Sequence, residues 1–160
     1  MQGAASGGGL GIALSSDIRL ATPEARFNAA FIKIGVSGCD MGSSYFLPRM
    51  VGASLAAEML LTGRFLHADR AYAMGFVSKV GLLAEIEAEA RQLVAEMLNA
   101  TPLALRLTKD CMNHNIDAPG LRAAIAMEDR NQILCTRGGD FNEGIQAFLE
   151  KRKPRYGQDS

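Results

Sequence analysis

The apolar positions in the first half of the chain come in short runs that glycines and prolines separate. The run from Leu10 to Leu14 follows three glycines and predicts a helix, while the alternation over residues 17–21 predicts a short strand. Further short elements follow: a strand at Arg26-Phe27, helices over 43–50, 53–61 and 67–74, and a strand over 76–80. We predict no strand before the glycines. The first half is therefore expected to be α/β.

The second half has the apolar spacing of helices. One stripe at helical spacing consists of Leu82, Leu83, Ile86, Ala90, Leu93, Val94, Met97 and Leu98. Thr101-Pro102 predicts a helix start, with a capping hydroxyl before the proline, and Pro119-Gly120 predicts a break. Asp140 with Glu143 predicts a capping box that opens the last helix. We accordingly divide the chain into an α/β region, residues 1–80, and a helical region, residues 81–160.

The charge balance gives no support for two classes of binding partner. Lys+Arg and Asp+Glu both number 17, so the formal net charge is zero and nothing favours nucleic acid or an anionic membrane surface. Cys39, Cys111 and Cys135 form no CxxC pair and fit a reducing compartment better than a disulfide framework. No apolar run reaches the length of a membrane span. We therefore expect a cytoplasmic protein.

Several familiar motifs fail on inspection. Gly9-x-Gly11 would need a third glycine where Leu14 stands to bind a dinucleotide, and no glycine run leads into the Lys-Ser/Thr of a phosphate-binding loop. His67 and His114 have no ligand spacing to cysteines or carboxylates. The sequence thus predicts no metal site and no nucleotide cofactor.

The glycine loop at residues 6–9 is one candidate for chemistry. Amide N–H groups at a helix start lack partners within the helix, and the helix dipole favours negative charge there, so they suit a developing oxyanion. Glycine would also let an acyl oxygen come close to the backbone. The alternative interpretation is a tight turn that needs positive φ. The residues alone favour neither.

Asp40 is the second candidate. It stands between Cys39 and Met41 in an otherwise apolar loop, so we expect partial desolvation that would suit general acid–base work. The alternative is that Asp40 caps a helix beginning at Met41, because Asp is favoured at that position. From the residues alone, the cap is the favoured interpretation.

Four segments together resemble one family. Residues 3–27 (GAASGGGLGIALSSDIRLATPEARF) and 34–80, followed by TPLALRLTK at 101–109 and DFNEGIQAFLEKRKPRY at 140–156, resemble the C-terminal portion of the crotonase (enoyl-CoA hydratase/isomerase) family in matching order. The resemblance covers essentially the whole chain. It implies part of a spiral of ββα turns followed by a helical trimerisation region, with an N-terminal part missing.

The resemblance also implies a substrate and a site. An acyl-CoA thioester would bind with its carbonyl oxygen held by two backbone N–H groups while an enolate develops. The second of those amides would belong to Gly8, with Gly7, Gly9, Phe31 and Met41 lining the substrate. The first amide, and much of the coenzyme A surface, would lie N-terminal to the segment that matches this chain.

The acids of the family's hydratases do not carry over. Their two catalytic glutamates correspond to Gly11 and Phe31, neither of which can transfer a proton, so the two-glutamate hydration of an enoyl-CoA is not supported. Asp40 matches the loop position where dienoyl-CoA isomerases and 4-chlorobenzoyl-CoA dehalogenases of the family carry a working aspartate. This match raises the acid–base interpretation of Asp40 to equal weight with the cap.

Two functional hypotheses follow from the resemblance. The first is a lyase or isomerase of fatty acid metabolism that needs no cofactor beyond its coenzyme A thioester substrate and assembles as a trimer or dimer of trimers. The second is a non-catalytic truncated fragment that acts only in oligomer assembly or binds acyl-CoA weakly.

Overall fold

A computed structural model describes residues 1–157 of the chain. The strands in this range are β1 (Ala4–Ser6), β2 (Leu20–Ala21), β3 (Arg26–Asn28), β4 (Leu66–His67) and β5 (Lys79–Val80). The α-helices are α1 (Gly8–Leu14), α2 (Ser43–Val51), α3 (Ala53–Thr62), α4 (Ala68–Ala73), α5 (Leu83–Met97), α6 (Pro102–Asn115), α7 (Leu121–Thr136) and α8 (Gly139–Leu149), and a 3-10 helix covers Ala30–Ile34. None of these helices is both long enough and apolar enough to cross a bilayer.

The chain forms two compact units, Met1–Arg91 and Gln92–Ser160, the second described as far as Gly157. The predicted α/β character of the first half and helical character of the second are confirmed. The predicted domain boundary between residues 80 and 81 stays a prediction. The compact units divide further along, inside α5.

Two small sheets organise the first unit. In one, β1 runs parallel to β3, with Ser6 opposite Asn28, and β3 runs antiparallel to β4. In the other, β2 pairs in parallel with β5. The expectation of no strand before the glycines is wrong, because β1 precedes them. Its Ala-Ala-Ser sequence has little intrinsic strand preference, so pairing with β3 and not local propensity makes it a strand.

A single apolar cluster holds the first unit together. Its largest fully buried members are Phe27, Phe76, Leu10, Leu14, Leu47, Met59, Leu66 and Val77. The rings of Phe27 and Phe76 meet edge to face with centroids 5.0 Å apart, an arrangement that aromatic pairs prefer. Leu10 and Leu14 of this cluster belong to α1, which follows the glycine loop directly, so the core fixes where that loop ends.

Local signals set the ends of most helices. Gly63 follows α3 with φ of 61°, and Gly75 lies just beyond α4 with φ of 73°, as expected of glycine at helix C-termini. In the second unit, Thr101 Oγ1 accepts a hydrogen bond from Ala104 N at 3.0 Å, which confirms the predicted cap of α6.

The predicted capping box of the last helix is wrong. Helix α8 begins at Gly139 after Gly138, and no side chain caps it. Asp140 Oδ1 instead accepts from Gly157 N at 2.8 Å, and Glu143 pairs with the guanidinium of Arg152. The chain turns back after α8 and brings these donors to both carboxylates, which the spacing of Asp140 and Glu143 alone could not reveal.

Candidate functional site

The glycine loop connects β1 to α1. Gly7 has a positive φ of 52° with ψ of −115°, a combination that favours glycine, and its N–H donates to the carbonyl of Asn28 at 3.0 Å. The first bond of the helix runs from Gly11 N to Gly7 O at 3.2 Å. The N–H of Gly8 has no hydrogen-bond acceptor among residues 1–157, as is usual in the first turn of a helix. Gly7 makes the tight turn, and Gly8 presents an unpaired amide; the predicted role of that amide at an oxyanion stays a prediction.

Asn28 anchors this loop, and sequence reasoning missed it. Its side chain is only 2% exposed; Oδ1 accepts from Ser6 Oγ at 2.5 Å, and Nδ2 donates to Gly63 O at 2.9 Å. The backbone carbonyl of Asn28 also accepts the bond from Gly7 N, so Asn28 ties the glycine loop to the end of α3. The predicted strand ended at Phe27, so nothing in the sequence indicated that a strand places Asn28, a residue disfavoured in strands, beside the glycine loop.

Two apolar side chains pack against the glycines. A β-carbon placed on Gly7 would lie 3.4 Å from the Phe31 ring, and one on Gly8 would lie 3.5 Å from Met41 Sδ. The structure thus brings together four of the residues predicted for the site. Gly9 faces elsewhere: a β-carbon there would point at Ala5 of β1, 4.0 Å away. Its predicted role in substrate binding stays a prediction.

The loop over residues 35–42, here called the Met41 loop, is held by close contacts. A β-carbon on Gly38 would lie 2.1 Å from the Leu60 carbonyl oxygen, so only glycine fits at this crossing with α3. The buried Ser43 Oγ donates to Gly38 O at 3.3 Å and accepts from Asp40 N at 3.1 Å. Ser43 N also donates to Asp40 O at 2.9 Å. These contacts set the backbone that carries Asp40 and Met41.

Asp40 differs from both sequence interpretations. Helix α2 begins at Ser43, with Gly42 before it and no side-chain cap, so the prediction that Asp40 caps a helix starting at Met41 is wrong. The expected desolvation is also absent, because Asp40 and its neighbours Cys39 and Met41 are all exposed. Asp40 Oδ1 accepts from Met41 N at 2.8 Å. The carboxylate is thus tethered to its own loop and open to solvent.

Neither acid position of the family's hydratases is filled. Gly11 lies buried in α1, and Phe31 lies half-buried in the 3-10 helix. In the part of the chain that the structure describes, no group of three or more His, Cys, Asp and Glu side chains could hold a metal ion. The chemistry available beside Gly8 is therefore that of a backbone amide flanked by a thioether and a phenyl ring.

The second unit contains a cavity of its own. It measures about 510 Å³ and has a mainly apolar lining that includes Leu103, Phe141, Ile145, Phe148 and Tyr156. None of the residues predicted for the site lines it.

The sequence as a whole identifies the family. Residues 1–159 match the model of the enoyl-CoA hydratase/isomerase family, so the chain belongs to that family, as the resemblance predicted. Its fold is accordingly a partial crotonase-like α/β fold with a helical C-terminal region.

Individual relatives support this assignment. A probable enoyl-CoA hydratase of Mycobacterium tuberculosis is 34% identical over 161 residues, which span 100% of this chain and 56% of that protein. The 1,2-epoxyphenylacetyl-CoA isomerase of Escherichia coli is 32% identical over 98% of this chain and 59% of its own length. The solved enoyl-CoA hydratase of Bacillus anthracis superposes with a TM-score of 0.89 at 30% identity, over 96% of this chain and 59% of the other. The chain thus spans little more than half the length of these relatives.

Proposed function

We propose that this protein binds acyl-CoA thioesters and that the N–H of Gly8 donates to the thioester carbonyl oxygen as an enolate develops. The observation that carries this proposal is the Gly8 amide, which has no acceptor among residues 1–157 and follows a turn tied down by Asn28. A donor that is already positioned stabilises negative charge without reorganising during the reaction. Membership of the enoyl-CoA hydratase/isomerase family supports the choice of a thioester.

The proposal assigns one of two oxyanion donors to this chain. The resemblance expects the other amide in a segment N-terminal to the part matched here, and the relatives are longer than this chain. The rest of the site contributed here is apolar, from Phe31 and Met41 beside the glycine loop. An acyl group bound against these side chains would exclude water from the hydrogen bond between Gly8 and the charged oxygen and so strengthen it.

Proton transfer is assigned to Asp40. A base removes a proton from the carbon next to the thioester, and the electron pair moves onto the oxygen that Gly8 holds. Gly11 and Phe31 offer no such base, so we propose isomerase or related proton-transfer chemistry rather than two-glutamate hydration. Asp40 is the acid–base candidate on the loop that also carries Met41.

A second candidate function is acyl-CoA binding without turnover. The exposure of Asp40 favours it, because an exposed carboxylate lacks the environment that usually tunes a catalytic base, and neither Gly11 nor Phe31 supplies an acid. As further proposals we keep a cytoplasmic location, assembly as a trimer or dimer of trimers, and a reaction that needs neither metal nor redox cofactor.

Proline at Gly8 tests the oxyanion proposal directly. Proline has no N–H and is favoured at the first position of a helix, so Gly8→Pro removes the donor while the start of α1 is kept. We expect turnover of crotonyl-CoA or of a dienoyl-CoA to fall about a hundredfold or more. Gly8→Ala is the matched control, since it keeps the amide and its β-carbon would meet Met41 at an ordinary 3.5 Å. Equal rates in the two variants would refute the role of Gly8.

Asp40→Asn separates the two candidate functions. If the protein is an enzyme that uses Asp40, the variant should bind acyl-CoA in calorimetry but turn it over at least about a hundredfold more slowly. Unchanged turnover would remove Asp40 from the mechanism. Calorimetric binding by the wild type without any turnover would favour the second candidate, and the absence of binding would contradict both.

A further inference from the structure

At position 11, α1 leaves no room for a β-carbon against the Met41 loop. A β-carbon placed on Gly11 would lie 2.7 Å from Met41 Cβ, 3.1 Å from its Cε and 3.3 Å from its Sδ. Carbon atoms in contact normally stand about 3.5–4.0 Å apart. Gly8, three residues earlier on the same helix face, meets the same thioether at an ordinary distance of 3.5 Å.

The obstacle at position 11 cannot rotate away. Met41 Cβ is bonded directly to the backbone, so a change of side-chain rotamer leaves the 2.7 Å contact in place. The backbone itself is held where Gly38 crosses Leu60 and where Ser43 bonds to Asp40 and Gly38. Relief would require the backbone of the Met41 loop or of α1 to move.

Met41 also occupies an unusual backbone conformation. Its φ is 48°, a left-handed value that side chains with a β-carbon seldom adopt and that glycine adopts freely. A methionine at this position therefore costs conformational energy that a glycine would not.

We infer that Met41 closes position 11 of α1 to any side chain and is thereby the residue that withholds an acid from the place where the family's hydratases carry one. The functional part of this inference rests on the proposed acyl-CoA site, whereas the steric part stands on the contacts alone. The side chain next to the Gly8 amide is the thioether of Met41, and the Met41 loop leaves no room for a carboxylate side chain at position 11. The reaction class is then set by the loop together with Gly11, and restoring a glutamate at position 11 requires a change at Met41 as well.

A double-mutant cycle in the full chain tests the steric part. In the wild-type background, Gly11→Ala should lower the folding equilibrium constant roughly tenfold to a hundredfold in urea unfolding, as overpacking does. In the Met41→Gly background the same substitution should have little effect, because glycine removes the obstructing β-carbon and suits positive φ. Met41→Ala is the matched control: it shortens the side chain but keeps that β-carbon, so it should not rescue Gly11→Ala. Equal losses in all three backgrounds would overturn the inference.

Glutamate at position 11 tests the functional part. We expect Gly11→Glu alone to add no crotonyl-CoA hydration over the wild type and to fold less stably than Gly11→Glu combined with Met41→Gly. Faster hydration by Gly11→Glu alone, or equal stability of the two, would overturn the inference. Calorimetry with crotonyl-CoA on the wild type distinguishes the two proposals: failure to bind would refute the proposed function, while the outcome of the stability cycle would still decide the role of Met41.

Discussion

The two compact units bury their apolar side chains to very different extents. In the first, phenylalanine, leucine and methionine side chains form one closed cluster. In the second, Ala147 is the one apolar residue of the described stretch 92–157 that reaches comparable burial. Large side chains there stay open to solvent, among them Leu98 at 76%, Leu121 at 76% and Phe148 at 82% exposure. The first unit thus owes its form to a core, and the second owes its form mainly to its helices.

This difference shows that helices can form in the second unit without being buried in a core. The second unit begins and ends its helices with local devices, such as the Thr101 cap and the break at Pro119-Gly120, which need no partner. Apolar surface on this scale is uncommon on a monomer and is typical of surfaces that other protein covers. The contrast supports the proposed assembly of several chains, and it predicts different responses to the same substitution in the two units.

Truncating one phenylalanine in each unit should give the largest contrast. Phe27 is fully buried against Phe76, so Phe27→Ala should lower the free energy of unfolding by about 3–5 kcal/mol. Phe148 is 82% exposed, so Phe148→Ala should change it by no more than about 0.5 kcal/mol. Urea titration followed by far-ultraviolet circular dichroism measures both, at a protein concentration low enough to keep the chain monomeric.

Raising the protein concentration extends the comparison of these two phenylalanine variants to self-association. If other chains cover the second unit, Phe148→Ala should weaken self-association in sedimentation measurements, while its monomer stability stays close to wild type. A large loss of monomer stability in Phe148→Ala would show that the second unit has a core after all, and the contrast between the units would fail.

Removing the Asn28 side chain should change the free energy of unfolding by an intermediate amount. Asn28→Ala removes the side-chain bonds to Ser6 and Gly63 and leaves the buried carbonyl of Gly63 unpaired, which should cost about 1–3 kcal/mol of unfolding free energy. Hydrogen exchange at the Gly7 amide should accelerate as well, because the turn loses its anchor. Asn113→Ala, on the exposed surface of α6, is the matched control and should change stability little. If the two variants lost equal stability, Asn28 would not be the anchor of the glycine loop.

The sequence was sufficient for features that depend on near neighbours. The helix ends at Gly63, Gly75 and Thr101 follow from the conformational freedom of glycine and the reach of a hydroxyl, both of which are properties of a few residues. The family match likewise followed from the four segments in order. At the site, the family resemblance grouped Gly8, Phe31 and Met41, and the structure places Phe31 beside Gly7 and Met41 beside Gly8. Their roles toward a substrate stay predictions.

What the sequence did not reveal depends on contacts between distant segments. Strand β1 exists through its pairing with β3. The carboxylates of Asp140 and Glu143 bond to Gly157 and Arg152, which lie in the segment that turns back after α8. Asp40 was expected to be shielded by its apolar neighbours, but the Met41 loop presents all of them to solvent. Neither the exposure of a loop nor the partner of a carboxylate is set by sequence spacing.

The smallest effect is expected from an ion pair in the second unit. Hydrogen bonds from the Arg152 guanidinium, and a further one from Arg155 N, lower the pKa of Glu143 from 4.5 to about 2. A carboxyl whose pKa is lowered on folding stabilises the folded state at every pH above the pKa it has in the unfolded chain. That stabilisation is lost as the pH falls from about 4.5 toward 2. Glu143→Gln should therefore lower the thermal midpoint at neutral pH, and the difference from wild type should shrink through this acid range.

The ion pair borders solvent, with 37% of the Arg152 side chain exposed, so added salt should reduce the difference at neutral pH. Glu128→Gln, which removes the same charge from the exposed surface of α7, is the control and should show no comparable pH dependence. A Glu143→Gln difference that stayed constant from neutral pH down to the acid range would mean that lost packing, and not the ion pair, accounts for it. In that case α8 and the returning chain would form a small core, and the second unit would resemble the first more closely than its exposed side chains indicate.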